Sequence, residues 1–318
     1  MSEYDIKLSH RENPFLYVHT QLTTTTNPIK MNVIKPIIPE STRSIIDLVL
    51  LIAGVILNTF LGLFIVSNSA MYNSTNCYVF GLVLSNFVIL LEPLERILEW
   101  IFDVHLEMNL DYVFLLSFAT SILTIILLNI EAYIVICQKN SPLRKSILKT
   151  STAIKGIIFI WVTCITVVAM ELHLYDHFEE EVANDIYVSS TVMFLIFPCF
   201  IFILLDYFIL YDLIVSKSLS GTWPSKGIER FIFLVGVNMG FLLTMIPYRI
   251  AKAIALLTHP HYNDMVIEVT YTMLKVYPII LPIICFVTSK DYHQILKIML
   301  HSEPHETSAV TMYVIYYS

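Results

Sequence analysis

The stretch LLNIEAYIVICQ, residues 127–138, ends a long apolar run that contains a single carboxylate, Glu131. No other charged side chain interrupts the run between residues 112 and 137, and a short basic loop follows it at 138–150. An apolar run of this length can cross a lipid bilayer, which requires about 20 helical residues. The stretch therefore indicates a membrane helix that ends at a basic loop.

The composition of the whole chain is typical of a membrane protein. Hydrophobic residues make up 56% of the chain and charged residues only 14%, against about 25% charged residues in soluble domains. The mean hydropathy is +0.71. Seven apolar blocks are present, at residues 44–67, 76–98, 111–137, 156–173, 187–214, 231–257 and 266–288. Because the blocks are continuous and do not alternate as the strands of a membrane barrel do, they predict an all-α integral membrane protein with a seven-transmembrane helix bundle.

Lys and Arg residues are distributed unevenly between the blocks. The loops at 138–150 and 215–230 and the segment after residue 289 are basic, whereas the loops at 99–110, 174–186 and 258–265 contain no Lys or Arg. Since Lys and Arg concentrate on the cytosolic side of a membrane, the basic loops are predicted to face the cytosol and the N-terminus to lie outside. The basic residues Lys35 and Arg43 oppose this orientation, and the five loops together with the segment after residue 289 outweigh them.

This orientation divides the chain into three parts. We expect an extracellular polar N-terminal segment at 1–43, a seven-helix transmembrane domain at 44–289 and a cytosolic segment at 290–318. The predicted location is the plasma membrane, which the chain crosses several times.

Individual residues in the apolar blocks follow a known pattern. The matching residues are Asn58 in GVILN, Asn86 in LVLSN, Ser121, the triplet Glu131-Ala132-Tyr133, Trp161, Pro198, Phe241 and Pro247 in FLLTMIPY, and Pro282 in LPIIC. In this order and spacing they resemble the rhodopsin-like (class A) family of G-protein-coupled receptors, and its peptide receptors most of all. The resemblance covers residues 44–297 and implies a short cytosolic eighth helix that starts near Tyr292.

Several positions depart from the family pattern. Asn86 replaces an acidic residue of a sodium site, and neutral oxygens such as that of Ser121 bind a hard cation weakly. Met245 replaces the Trp of helix six, and Ala132 replaces an Arg. In the family this Arg bonds the neighbouring acid in the resting state and contacts the G-protein α subunit in the active state. The residues therefore support the receptor fold more firmly than they support coupling to a G protein.

Ionisable residues inside membrane spans are costly and indicate function. Glu92 and Glu95 lie in the second block, Arg249 in the sixth and Lys275 in the seventh. Because helices two and seven are neighbours in the resembled family, we expect a Glu92–Lys275 ion pair that lines the outward cavity, with Glu95 as the alternative acid. A simpler interpretation is that Arg96 pairs with an acid on its own helix.

The predicted extracellular loops are acidic and would steer cationic ligands towards the bundle. The candidate ligand-binding residues lie deeper and are Glu92, Glu95, Phe114, Tyr248, Arg249 and Lys275. They predict a peptide ligand with basic groups at the mouth and an acid, amide or carbonyl group near Arg249 and Lys275. Phe114 stands where amine receptors carry an Asp, so a biogenic amine is not expected.

A second set of residues is expected to act in activation or coupling. The set comprises Asn58, Asn86, Ser121, Glu131, Ala132, Tyr133, Phe241, Met245, Pro247 and Pro282. Ligand binding would favour one of two helix arrangements, with Pro198 and Pro247 as hinges. The expected partners are an extracellular ligand, a heterotrimeric G protein at the basic loops and the lipid bilayer, without nucleic acid. No catalytic residue, metal site or cofactor is predicted, so the protein is not expected to be an enzyme.

Three other functions remain open. A seven-helix protein that does not couple to G proteins, such as a decoy, a trafficking partner or a heteromer subunit, fits the missing Arg and Trp. An opsin fits Lys275, seven residues before Pro282, but Leu110 stands where opsins usually carry an acid. A transporter or channel fits the intramembrane charges, although no internal repeat is visible.

Glu131 also has a simpler interpretation, in which its carboxylate bonds Lys139 or water at the membrane edge.

Overall fold

The structure, a computed structural model, describes residues 39–104, 110–177, 180–258 and 264–301. All regular secondary structure in these ranges is helical. The elements are α1 (Glu40–Ser67), a 3-10 helix (Ser69–Met71), α2 (Ser74–Ile89), α3 (Leu91–Phe102), α4 (Leu110–Cys137), α5 (Pro142–Ile147), α6 (Thr150–His177), α7 (Glu180–Ser220), α8 (Ser225–Thr244), α9 (Ile246–Leu257), α10 (Asp264–Thr288) and α11 (Lys290–His301). The predictions for residues 1–38 and 302–318 lie outside the described residues.

Seven stretches of the described chain are long and apolar enough to cross a membrane. They are Ser41–Ser67, Ser74–Phe102, Tyr112–Cys137, Thr150–Leu174, Asn184–Ser220, Ser225–Leu257 and Met265–Thr288, and we number them spans one to seven. They confirm the predicted seven-helix bundle.

The two ends of the bundle differ in charge. One end holds Lys139, Arg144 and Lys226 in or near the linkers after spans three and five, together with α11. We call it the basic end. The opposite end holds Asp103, where α3 ends, and Asp185, near the start of span five. We call it the acidic end.

Spans two and six each consist of two helices, whereas the sequence predicted one helix in each. Span two is interrupted at Leu90, three residues before Pro93, and span six at Met245, two residues before Pro247. Proline has no amide hydrogen and its ring clashes with the carbonyl four residues earlier, so a helix restarts with proline in its first turn. Pro198, the other expected hinge, lies inside the continuous helix α7.

Two boundaries also differ from the sequence prediction. α1 already begins after Pro39, so residues 40–43 of the predicted N-terminal segment are helical. α7 is longer than the predicted block at 187–214, because a helix can continue past its apolar part until its backbone is interrupted. Gly221 provides that interruption with a φ of 72°, a conformation that glycine adopts without steric cost.

Span three lies at the centre of the bundle. In the most apolar 18-residue stretch of span three, 78% of the residues are buried, compared with 17% in that of span five. The core around span three includes Leu82, Phe118, Ile122, Phe241 and Leu281. Span five instead exposes large apolar side chains such as Phe197, Phe200 and Ile203, as expected of a helix that faces lipid tails.

Candidate functional site

Four charged side chains from spans one, two and seven meet near the acidic end. We call this group, Asp47, Glu92, Arg96 and Lys275, the charge cluster. The Nζ atom of Lys275 lies 2.9 Å from Asp47 Oδ1 and 3.1 Å from Glu92 Oε2. The guanidinium of Arg96 lies 3.1 Å from Asp47 Oδ2 and 3.0 Å from Glu92 Oε1. Two acids and two bases alternate, so the cluster is formally neutral although three of its members are buried.

The Glu92–Lys275 ion pair expected from the sequence is thus present, and Arg96 also pairs with Glu92 on its own helix. Both predicted pairs are present because Glu92 contacts Lys275 through Oε2 and Arg96 through Oε1. Glu95, the alternative acid, lies half-buried on the same helix.

Asp47 is the member of the cluster that sequence reasoning missed. It lies near the start of the first apolar block and is 2% exposed. A carboxylate inside a span requires a cationic partner, and this requirement is the signal by which the sequence could have identified Asp47. With Asp47, the cluster ties span one to spans two and seven.

Three aromatic rings connect spans three, six and seven beside the charge cluster. The ring centroids of Phe114 and Tyr248 lie 4.9 Å apart, and those of Tyr248 and Tyr271 lie 5.1 Å apart. The Nζ atom of Lys275 lies 4.4 Å from the centroid of Tyr271. We call Phe114, Tyr248 and Tyr271 the aromatic row; it brings two predicted ligand-binding residues into contact and adds Tyr271, which the sequence did not single out.

Arg249 lies in a separate polar group. It is 1% exposed, donates from Nη2 to Ser190 Oγ at 2.8 Å, and its guanidinium lies 4.6 Å from the ring centroid of Tyr187. Ser190 in turn donates to Glu171 Oε1 at 3.0 Å. Arg249 and Glu171 also line a cavity of about 50 Å³ between spans three, four, five and six. Arg249 and Lys275, predicted to meet the same ligand group, therefore have different partners.

At the basic end, Glu131 is bonded to span two. Its Oε1 atom accepts hydrogen bonds from the hydroxyls of Ser74 and Thr75, at the first turn of α2. The interpretation that Glu131 bonds Lys139 is therefore wrong for this structure. Ala132 is buried, and the Tyr133 ring centroid lies 6.2 Å from that of Phe208 on span five.

Asn58 and Asn86 form a neutral link between spans one, two and seven. Asn86 Nδ2 donates to Asn58 Oδ1 at 2.8 Å, and Asn58 Nδ2 donates to the Pro278 carbonyl at 2.6 Å. Asn86 Oδ1 and Ser121 Oγ are buried without a hydrogen-bond partner among the described residues. The described residues contain no group of three or more His, Cys, Asp or Glu side chains that could hold a metal ion.

Two of the remaining predicted activation residues, Phe241 and Met245, lie in the apolar core. Phe241 is fully buried, and its ring centroid lies 5.5 Å from that of Phe118 and 5.8 Å from that of Tyr277. Met245 is also fully buried, where span six is interrupted before Pro247. Pro282 lies inside α10.

The helix after span seven is fixed by an aromatic residue. Tyr292 donates from its hydroxyl to Asn76 Oδ1 at 3.1 Å, and its ring stacks on Phe64 at a centroid distance of 5.5 Å. Burial raises the pKa of Tyr292 well above its ordinary value, so the hydroxyl keeps the proton that it donates. α11 thus begins at the position expected of the eighth helix.

Similarity to known proteins is partial. A stretch covering 36% of the chain is 29% identical, over 121 residues, to the pyrokinin-1 receptor of Drosophila melanogaster. The match spans 28% of that receptor's length, and no protein-family model matches the chain. Together with the seven apolar helices, this distant similarity supports a G-protein-coupled-receptor-like family and a multi-pass membrane protein. It favours a receptor over an enzyme.

Proposed function

We propose that this protein is a plasma-membrane receptor that binds an extracellular peptide between the acidic-end halves of its spans and signals to a cytosolic G protein. One observation carries the proposal: the aromatic row, with the charge cluster on one side and Arg249 on the other, lies within one half of the bundle. Ligand pockets combine aromatic walls with a few placed polar groups in this way. The partial similarity to a receptor named for pyrokinin supports a peptide ligand.

The structure refines the expected ligand chemistry. Lys275 is within ion-pair distance of two carboxylates, so it has little capacity left for a ligand acid. Tyr248 is half-buried and Phe114 is buried against it, so the exposed part of the Tyr248 ring is the surface that suits a cationic or aromatic peptide side chain. We therefore assign the aromatic row as the principal contact for the basic groups of the peptide, and we no longer assign Lys275 to an acid group of the ligand.

The proposal is tested by measuring G-protein dissociation in cells that express the full chain. The probes are synthetic pyrokinins and a panel of short peptides that carry Arg or Lys. We expect at least one peptide to give a saturable response that Tyr248→Ala weakens tenfold or more, about 1.4 kcal/mol of binding free energy. The matched control is Phe197→Ala, whose ring is 64% exposed on the lipid-facing side of span five.

A response unchanged by Tyr248→Ala would show that the ligand does not depend on contact with the aromatic row. The absence of any response from correctly surface-expressed protein would count against the receptor function.

A non-coupling seven-helix protein is the second candidate, and a specific observation favours it. Ala132 offers only a methyl group at the basic end, and the bonds of Glu131 to Ser74 and Thr75 point towards span two. The test compares G-protein dissociation in the wild type and in Ala132→Arg. A gain of basal or peptide-stimulated dissociation in the variant alone would favour the non-coupling protein, and a robust wild-type response would reject it.

A further inference from the structure

Two histidines lie one helical turn apart near the acidic end of span four. His173 and His177 both belong to α6, in the stretch ELHLYDH at residues 171–177. Residues four apart on a helix are neighbours on one face. The centroids of the two imidazole rings lie 4.0 Å apart. We call these two residues the histidine pair.

A hydrogen bond fixes the tautomer of His177. Its Nδ1 atom lies 2.8 Å from the carbonyl oxygen of His173. A carbonyl oxygen can only accept a hydrogen bond, so Nδ1 carries the hydrogen and donates it. In the neutral ring the lone pair is then on Nε2. A carbonyl that accepts from one ring nitrogen in this way is the usual outer partner of a metal-bound histidine, because it orients the ring.

The histidine pair is open to ions from outside the bundle. Both side chains are exposed, and packing therefore does not account for their position. The apolar part of span four ends at Leu174, whereas α6 continues to His177, so the pair lies at the edge of the membrane. Among the described residues, the His173 ring contacts the His177 ring, and its nitrogens have no hydrogen-bond partner.

The sequence around the histidine pair is acidic. The carboxylate residues between positions 171 and 186 are Glu171, Asp176, Glu179, Glu180, Glu181 and Asp185. The same stretch contains no Lys or Arg. A segment with charge of one sign raises the local concentration of counter-ions. The surroundings of the pair therefore favour a cation.

The ligand atoms of the pair select the kind of cation. Neutral imidazole binds late transition metals such as Zn²⁺, Cu²⁺ and Ni²⁺, whereas Mg²⁺ and Ca²⁺ prefer oxygen ligands. Two histidines at positions i and i+4 of one helix also hold zinc in metalloproteases of the HExxH type. Zn²⁺ is usually bound by four ligands, and the described residues contain no group of three His, Cys, Asp or Glu side chains that could hold a metal. Water then completes the coordination, and the ion exchanges readily.

We propose that the histidine pair is a site for an exchangeable late transition metal ion such as Zn²⁺, bound by Nε2 of His177 and a ring nitrogen of His173. In the predicted orientation the acidic end lies outside the cell, so the ion comes from the extracellular fluid. The site does not rest on the function proposed above, since it requires only the geometry of α6.

The experiment measures Zn²⁺ binding to the full chain, purified through a tag without histidine and held in phosphatidylcholine nanodiscs. Competition with a coloured zinc chelator gives the affinity. We expect His173→Gln and His177→Gln each to weaken binding about tenfold to a hundredfold, because two linked ligands bind one ion far more tightly than either alone. An affinity that is the same in the wild type and in both variants overturns the site.

The matched control is His293→Gln. His293 is also exposed, and Ser289 and Lys297 stand four residues on either side of it, so it has no histidine neighbour on its helix face. The Zn²⁺ affinity of this variant should equal that of the wild type. A loss as large as that of His177→Gln would show that the histidine pair is not special and would reject the proposal.

A second control keeps both imidazoles and changes only their spacing. Tyr175→His combined with His177→Tyr places the histidines two residues apart, on opposite sides of the helix. The affinity should fall to that of the single variants. Binding as tight as in the wild type would show that the two rings do not act together and would reject the pair as a chelating site.

Cu²⁺ provides a spectroscopic test of the ligands. Electron spin echo modulation from imidazole nitrogen distinguishes one bound ring from two. We expect two rings in the wild type and one in His173→Gln or His177→Gln. A signal from a single ring in the wild type would contradict the site.

Thermal unfolding separates the loss of the metal from a loss of folding. Without metal, His177→Gln should unfold at the wild-type temperature, because the side chain is exposed. An ion that binds only the folded chain stabilises it, so Zn²⁺ should raise the unfolding temperature of the wild type but not that of the variant. Mg²⁺ should raise neither. An equal rise with Zn²⁺ in both proteins would place the ion elsewhere and overturn the assignment.

Discussion

At the level of single residues, Lys275 is held by two carboxylates, Asp47 at 2.9 Å and Glu92 at 3.1 Å. The Lys275→Met variant leaves these two acids with Arg96 alone, so an uncompensated negative charge stays buried. Breaking a buried pair in this way costs about 3–5 kcal/mol. We expect a lower thermal unfolding temperature and reduced surface expression, measured on purified protein and by flow cytometry.

The control for this prediction is Lys290→Met, because the Lys290 side chain is 70% exposed and its loss should leave both measurements unchanged. Asp47→Asn combined with Lys275→Met restores charge balance and should recover much of the loss. Exchange of the charges at positions 92 and 275 should not recover it, since a carboxylate at 275 would face Asp47. A Lys275→Met variant as stable as the wild type would contradict the charge cluster as described.

The Tyr292 hydroxyl permits a prediction about pH. Tyr292→Phe removes the bond to Asn76 and should lower the free energy of unfolding by about 1 kcal/mol. Burial raises the folded-state pKa of Tyr292, so the folded chain keeps the proton at pH values where the unfolded chain has begun to lose it. The advantage of the wild type over Tyr292→Phe should be constant below about pH 9 and should fall above pH 10. Chemical denaturation of both proteins across this range checks it, and an advantage that grows above pH 10 would contradict the assigned direction.

At the level of elements, the sequence predicted the seven apolar spans better than it predicted where their helices break. The hydropathy of each block indicates the position of a span, because a helix that crosses the bilayer must be continuously apolar. Pro93 and Pro247 carried the signal for the two interruptions, but proline alone does not decide between a break and a continuous helix. Pro198 shows this, since α7 continues through it.

The partners of intramembrane polar residues were predictable only in part. Glu92 and Lys275 could be matched because the resemblance placed helices two and seven side by side. Asp47, Asn129 and Asp206 were not identified, since their partners lie on spans far away in sequence and spacing along one helix does not reveal them. Arg249 was noticed as a charge, but its partner Ser190 gives no signal in the sequence.

The packing of α8 against span seven gives a prediction at this scale. A Cβ atom at Gly240 would lie 3.0 Å from the Ile284 side chain and 3.2 Å from that of Ile280, closer than ordinary contact. Gly240→Ala should therefore lower the free energy of unfolding by about 1–3 kcal/mol through overpacking. Thermal unfolding of purified protein measures it.

The matched variant is Gly62→Ala in α1, where the nearest side-chain atom would lie 3.6 Å away, at ordinary contact distance. This change should be neutral or stabilise the helix by about 0.5–1 kcal/mol, because alanine loses less conformational freedom than glycine. Equal effects of the two changes would mean that α8 and span seven do not pack as closely as described.

At the level of the whole molecule, the two ends of the bundle have different chemistry. The charge cluster, the aromatic row and Arg249 occupy the acidic-end half. Glu131, Tyr292 and the hydrogen-bonded pair Asn129–Asn238 occupy the basic-end half. Span six is interrupted between these halves at Met245. In the proposed function, the ligand binds at the acidic end and the G protein at the basic end.

This arrangement requires the basic end to face the cytosol, which the distribution of Lys and Arg predicts. An epitope tag before Met1 should bind antibody on intact cells, and tags inserted after Asn140 or after Ser318 should bind only after the plasma membrane is permeabilised. All three tagged proteins are compared at equal total expression, and an antibody to a cytosolic protein confirms that intact cells exclude antibody. Antibody labelling of the tag after Ser318 on intact cells would show that the chain has the opposite orientation. The aromatic row would then lie on the cytosolic side, and an extracellular peptide ligand would have no basis.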